Sequence, residues 1–218
     1  MTDLQAQFGQ IDIYLFDQLQ RGRIPPGTRI CDAGCGSGRN LVYFLREGYD
    51  VRAVDADRAA IDRVRSLAAT LAPNLPADNF RVEPVEKTSF DSRCADLVIS
   101  SAVLHFARDD DHFEAMLQEC WRLLDDGGVF FCRLASSIGM ESQVRAVGSG
   151  RFLLPDGSER YLVTEARLME FTAQLGGELI DPLKTTIVQN QRSMTTWVLR
   201  KGATPPPRPP SSLRPSRC

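Results

Sequence analysis

Three glycines alternate at Gly34, Gly36 and Gly38, two residues after the carboxylate of Asp32, and a second carboxylate, Asp55, closes the next apolar run. Glycine takes positive φ without a Cβ clash and lets main chain approach a ligand closely. A helical pattern over residues 39–47 begins behind the loop and stops at Gly48. A helix N-terminus there offers free N–H groups to polar or anionic atoms. Asp55, with Ala56 beside it, stands where a strand-end carboxylate accepts both hydroxyls of a ribose. Together these residues point to a ligand built on a nucleoside.

Spacing decides which nucleoside. A dinucleotide fingerprint requires G-x-G-x-x-G. Counted from Gly34 the third glycine falls on Arg39, and counted from Gly36 it falls on Leu41, so both registers fail. A nicotinamide-dependent oxidoreductase is thereby disfavoured.

The run Asp32-Ala33-Gly34-Cys35-Gly36-Ser37-Gly38 resembles the first motif of the class I S-adenosylmethionine-dependent methyltransferases. With GYDV and AVD after it, the stretch is most similar to their small single-domain members, the tellurite-resistance methyltransferase type included. The resemblance spans about Arg29 to Arg200. It implies S-adenosylmethionine as cofactor, methyl transfer to a small-molecule acceptor, and an α/β, doubly wound Rossmann-like sheet of seven strands with the last antiparallel. It further implies that Asp32, Gly34, Gly36, Gly38, Asp55 and Ala56 hold the cofactor. Ser100 would grip the methionine end through its main chain, and Ser101 and His105 would face the acceptor. One departure stands out. The acid that takes the adenine amino group in many relatives falls on Pro84, which has neither acceptor nor N–H. The main chain of Val85 and the carboxylate of Glu86 are the replacements on offer.

The elements that must position these residues are read from periodicity. Ala95 to Ser100 is a near-continuous apolar run, as expected of a central parallel strand buried on both faces. It delivers Ser100, Ser101 and, after a short turn, His105 to the carboxyl edge, where open α/β sheets bind ligands. Val129 to Leu134 forms the fifth strand and brings Arg133, Ser136 and Ser137 to the same edge as candidates for the acceptor pocket. Arg133 interrupts an apolar run and needs a carboxylate, either a ligand's or a neighbouring acid's. Residues 138–163 are an excursion containing a β-hairpin, Arg151–Leu154 and Glu159–Val163, turning on Asp156-Gly157. Placed there, it would overhang the pocket as a lid. Leu4, Phe8, Ile11, Leu15 and Leu19 mark one amphipathic helix over residues 4–19. The cluster Arg108 to His112 reads as a helix start, Asp111 forming a capping box with Glu114, and not as a metal site.

A chain of 218 residues suits one sizeable domain. Its expected parts are an N-terminal helix and linker (1–28), the methyltransferase domain (29–201) and a disordered proline-rich tail (202–218). A formal charge of −2 gives no electrostatic reason to expect nucleic acid. An apolar signal-peptide core is missing, and no run approaches the ~20 apolar residues of a membrane span. None of the six cysteines forms a CxxC, which predicts reduced thiols in a cytosol. The expected chemistry is in-line methyl transfer, with His105 as general base if the acceptor is a hydroxyl or ammonium. The competing reading is a non-catalytic S-adenosylmethionine sensor, with Pro84 as its support.

Overall fold

The computed structural model describes residues 3–202. Where one long helix was expected near the N-terminus there are two, α1 (Leu4–Phe8) and α2 (Ile13–Gln20). Gly9 adopts φ +62 and ends the first, and the side chain of Asp12 caps the second by accepting from the Tyr14 N–H at 3.0 Å. The break has a physical cause: a left-handed glycine followed by a capping aspartate outweighs continuous apolar spacing.

The chain then alternates: β1 (Arg29–Ala33), α3 (Val42–Arg46), β2 (Asp50–Asp55), α4 (Arg58–Leu71), β3 (Phe80–Val82), β4 (Ala95–Ser101), α5 (Asp110–Leu123) and β5 (Leu124–Ser136). Helix α3 is shorter than its sequence pattern, because the glycine loop continues in turns as far as Leu41. Helix α5 is capped by Asp109, whose carboxylate accepts from the His112 N–H at 2.8 Å, and not by the expected Asp111–Glu114 box.

The excursion is a three-stranded antiparallel sheet: β6 (Arg145–Gly148), β7 (Arg151–Leu153) and β8 (Glu159–Tyr161). The Asp-Gly hairpin stands as expected, and β6 adds a strand to it. After α6 (Glu165–Gln174) come β9 (Gly177–Leu179), β10 (Lys184–Val188) and β11 (Arg192–Lys201).

The main sheet runs β10-β11-β5-β4-β1-β2-β3, with β9 also paired to β11. From β3 to β5 all pairs are parallel, and β11 enters antiparallel to β5. The seventh position is shared, with β10 along residues 192–196 of β11 and β9 along residues 199–201. This is the doubly wound Rossmann-like sheet expected, with one outer position divided in two.

Strand alternation divides the core. Phe130 and Val98 pack on one face with Phe113 of α5, Phe171 of α6 and Trp197. Phe131, Leu97 and Ile99 pack on the other with Leu15 of α2, Phe44 of α3 and Ile61 of α4. Adjacent residues point to opposite faces, so both faces need apolar side chains. Burying each such aromatic side chain contributes roughly 1.5–3 kcal/mol.

Candidate functional site

The carboxyl edges of β1, β2 and β4 converge on a cavity of about 610 Å³. Gly34 and Gly36 form its floor, at φ +84 and +54. At Gly34 the missing side chain serves packing, since a Cβ would lie 2.6 Å from Val103. At Gly36 a Cβ would meet no protein atom within 4 Å, although the residue lines the cavity. That is a cradle with room for a ligand. Asp55 fixes it: its Oδ2 accepts from the Gly36 N–H at 2.9 Å and its Oδ1 from the Asp57 N–H at 2.9 Å. Each carboxylate oxygen retains a lone pair for a further donor.

Of the sequence candidates, Gly34, Gly36, Asp55, Ala56, Val85, Glu86 and Ser101 line this cavity. Asp32, Gly38 and Ser100 stand behind it. Asp32 is fully buried at the end of β1, its Oδ2 without a hydrogen-bond partner. Burial raises its carboxyl pKa to about 7, against the opposing pull of the Arg39 charge. Gly38, at φ +80, closes the loop onto Val64 of α4. Ser100 turns its hydroxyl into the core, where it too has no partner. Glu86 Oε1 lies 3.1 Å from His112 Nε2, off the direction a hydrogen bond requires, so that nitrogen stays unpartnered at the cavity wall.

A second cavity, of about 300 Å³, adjoins the first through Ala102 and Phe106. Ala102 has φ +66, a left-handed conformation costing a non-glycine residue about 1–2 kcal/mol, held here by its N–H donating to the Arg133 carbonyl at 2.7 Å. His105 and Arg133 line this second cavity. His105 is buried and its Nδ1 accepts from the Ala135 N–H at 3.2 Å, which assigns the proton of the neutral ring to Nε2. Burial, with the charges of Arg160 and Arg133, pushes its pKa down to about 4. A ring so placed donates a hydrogen bond and is a weak base, so the general-base expectation for His105 gives way to a donor role.

Ser136 lines neither cavity. Its hydroxyl lies 2.7 Å from Thr195 Oγ1 and 3.3 Å from Ser193 Oγ on β11. The reason is strand alternation: Arg133 and Ala135 share the cavity face of β5, and Ser136 points the other way. Ser137 is likewise occupied, its N–H donating to the Val163 carbonyl at 3.0 Å. The acceptor-pocket expectation is corrected for both serines.

The sequence reading missed Asp12 and Arg39. Asp12 is buried on the link between α1 and α2, and its N–H donates to Asn40 Oδ1 at 2.9 Å. Its Oδ2 lies 3.3 Å from Arg133 Nη1, 3.6 Å from Arg39 Nη2 and 3.2 Å from the Ser101 hydroxyl. Arg39 also donates to Ser101 Oγ at 2.9 Å. The neighbouring acid that Arg133 required is therefore Asp12. The GRN triplet after the loop was the only local signal, since Asp12 itself lies in an unremarkable helical pattern.

Residues 31–132 match the family profile described as "Methyltransferase domain". That segment contains the glycine cradle, Asp55 and both serines of β4. This stretch, a little under half of the chain, is similar to methyltransferase domains. The open floor at Gly36 and the orphaned Asp32 oxygen would fit the S-adenosylmethionine of such domains. The chain is 30% identical over 127 residues to the "Uncharacterized methyltransferase YodH" of Bacillus subtilis, a match covering 58% of this chain and 48% of YodH. The chain thus spans about half the length of that relative. Among solved structures, a SAM-dependent methyltransferase from Methanosarcina mazei superposes with TM-score 0.67 at 20% identity, over 85% of this chain and 98% of that one. The 1,6-didemethyltoxoflavin-N1-methyltransferase of Burkholderia thailandensis, solved with its substrate and S-adenosylhomocysteine, gives TM-score 0.67 at 20% identity, over 92% and 81%. At such identities the structures establish the α/β fold and nothing finer.

Proposed function

We propose that this protein transfers the methyl group of S-adenosylmethionine to a small-molecule acceptor by in-line displacement. The observation that carries the reading is the Asp55–Gly36 hydrogen bond, which holds a strand-end carboxylate against an open glycine floor inside the larger cavity. Asp55 takes the ribose hydroxyls. Ala56, the Val85 main chain and Glu86 take the adenine end in place of the acid that Pro84 replaces. Arg39, whose guanidinium is partly exposed on the cavity wall, faces the methionine carboxylate. Asp32 and the Ser100 main chain complete that end from behind the loop.

S-adenosylmethionine supplies its own activation, because the methyl leaves a sulfonium as a neutral thioether. The chain mainly has to hold the acceptor in line, an orientation effect worth up to about 7–11 kcal/mol. Ser101 stands at the boundary between the cavities, and His105 and Arg133 lie beyond it. His105 Nε2–H orients the acceptor and leaves proton removal to solvent. Residues 138–163 form the lid. It is docked by Arg151 donating to the Ala107 carbonyl at 2.8 Å and by the Tyr161 hydroxyl donating to Asp110 Oδ1 at 2.6 Å.

Within the class, the GCGSGRN run supports a place beside the tellurite-resistance type. Among the described residues Cys31, Cys35, Cys94, Cys120 and Cys132 are free thiols, which supports a reducing, cytosolic setting. No helix of the described residues is long and apolar enough to cross a membrane. The test is calorimetric titration with S-adenosylhomocysteine, followed by a metabolite panel assayed for its release from S-adenosylmethionine. Micromolar binding and turnover on one acceptor are expected. A flat titration together with an unchanged melting temperature would overturn the assignment.

A further inference from the structure

The smaller cavity has an unbalanced charge. Three arginines line it: Arg133 from the end of β5, Arg160 from β8 of the lid and Arg192 from the start of β11. The carboxylate among the lining residues is Asp156, and its Oδ1 already accepts from the Ser158 N–H at 2.9 Å and the Ser158 hydroxyl at 2.6 Å. Arg133 shares the Asp12 carboxylate with Arg39, so one acid serves two guanidinium groups. The Nε of Arg133 is buried without a hydrogen-bond partner. Among the described residues neither Arg160 nor Arg192 makes a salt bridge. Their charges act on Asp156 from a distance, lowering its pKa after the larger effect of the Ser158 hydrogen bonds.

Arg160 is nevertheless held in place. Its guanidinium carbon lies 4.9 Å from the centroid of Phe106, the ring that borders both cavities. Its Nη1 donates to the Glu159 carbonyl at 2.7 Å, and a cation stacked on an aromatic face keeps its remaining in-plane N–H donors available to an anion. His105 adds no charge of its own, because burial and the same two arginines, Arg160 and Arg133, keep it neutral. The remaining wall is apolar, with Ala135, Leu154, Val188 and Met194. An electropositive pocket with an apolar wall selects a ligand that has an oxyanion at one end and a compact hydrophobic body at the other.

We propose that this cavity binds the methyl acceptor and that the acceptor carries an oxyanion, carboxylate or phosphate, which Arg160 and Arg192 hold against the apolar wall. The inference rests on the methyl-transfer reading above. Arg133, tied to Asp12, sets the inner end of the site. Arg160 moves with the lid, so an anion bridging Arg160 to Arg192 of the main sheet fastens the lid over the acceptor.

The full chain, saturated with S-adenosylhomocysteine, is titrated calorimetrically with benzoate, phenyl phosphate and benzamide. Binding of S-adenosylhomocysteine is measured first, and its failure strikes the methyl-transfer reading, not the anion site. With the cofactor product bound, one or both anions should bind at least tenfold more tightly than isosteric, uncharged benzamide, and raised salt should weaken them. The tighter anion identifies carboxylate or phosphate. In the double variant Arg160→Ala/Arg192→Ala the preference over benzamide should vanish, with retained S-adenosylhomocysteine affinity reporting an intact fold. Equal binding of anion and amide, no binding by any of the three, or a preference surviving in the double variant would overturn the proposal.

Discussion

The carboxylate Oδ2 of Asp12 lies 3.3 Å from Nη1 of Arg133, across 121 positions of sequence. This contact fastens the N-terminal helices to the carboxyl end of β5, and with Arg39 and Ser101 it forms the polar partition between the two cavities. Asp12 also caps α2, so one side chain both starts a helix and neutralises a strand-end arginine.

Replacing Asp12 by alanine leaves two guanidinium groups facing each other and removes a helix cap. Loss of one partner from a buried pair costs about 3 kcal/mol, and the cap about 1 more. Urea unfolding of Asp12→Ala should show a loss in that range. A loss below about 1 kcal/mol would place the contact with ordinary surface pairs.

Asp55→Ala should weaken S-adenosylhomocysteine binding by roughly 1.5–3 kcal/mol, the range for hydrogen bonds to a charged group. The Gly36 N–H also loses its acceptor, so the floor of the cradle loosens in the same variant. Calorimetry decides, and a parent-like affinity would remove Asp55 from the ribose.

Two alanine substitutions in one loop should separate stability from binding. In Gly34→Ala the new methyl meets Val103 at 2.6 Å with φ at +84, and about 2–4 kcal/mol of stability should go. In Gly36→Ala the methyl meets no protein atom, so about 1 kcal/mol of backbone strain is expected. Cofactor affinity there should nevertheless fall at least tenfold. Equal thermal shifts and equal affinities in the two variants would contradict the cradle.

Asp32 makes the ligand-free protein sensitive to pH. Burial holds its folded pKa near 7, above the ordinary value of 3.8. The folded state therefore binds the extra proton, and this contribution to stability is complete below pH 4 and lost as pH rises to 7. Asp32→Asn lacks that titration. Relative to the parent it should gain stability between pH 5 and pH 8, by more than about 1.4 kcal/mol, the equivalent of one pKa unit. Parallel stability curves for parent and variant would refute the shift.

His105, with its pKa near 4, should leave no limb between pH 6 and pH 7 in the rate profile once an acceptor is in hand. His105→Ala should lower turnover at least tenfold with S-adenosylhomocysteine affinity within about twofold, as expected of a residue that acts on the acceptor through a hydrogen bond. A parent limb near pH 6.5 that disappears in the variant would restore the general-base role.

The glycine loop, Asp55, the strands β1, β2 and β4 and the Asp-Gly hairpin were legible in the amino-acid sequence, because each is written in local signals. These are alternation, positive-φ glycines, a carboxylate at a strand tip and a two-residue turn. Where local signals competed, the stronger one prevailed: Gly9 and Asp12 divided the N-terminal helix despite its unbroken apolar spacing. Ser136 shows the opposite limit. It was assigned to the pocket by its nearness to Arg133, although an odd offset within a strand turns a side chain to the other face.

By itself the sequence determined the glycine loop, the carboxylate at the neighbouring strand tip and the parallel sheet that presents them. Tertiary structure alone decided what stands at the far side of Ser101: Asp12 joined to Arg133, and Arg160 and Arg192 brought to one cavity from the lid and from the last strand. The physical reason is range. The glycine loop and Asp55 are neighbours along the chain, within one strand–turn–helix–strand unit. The smaller cavity is lined by charges that meet only after the sheet has closed, and no periodicity records such meetings.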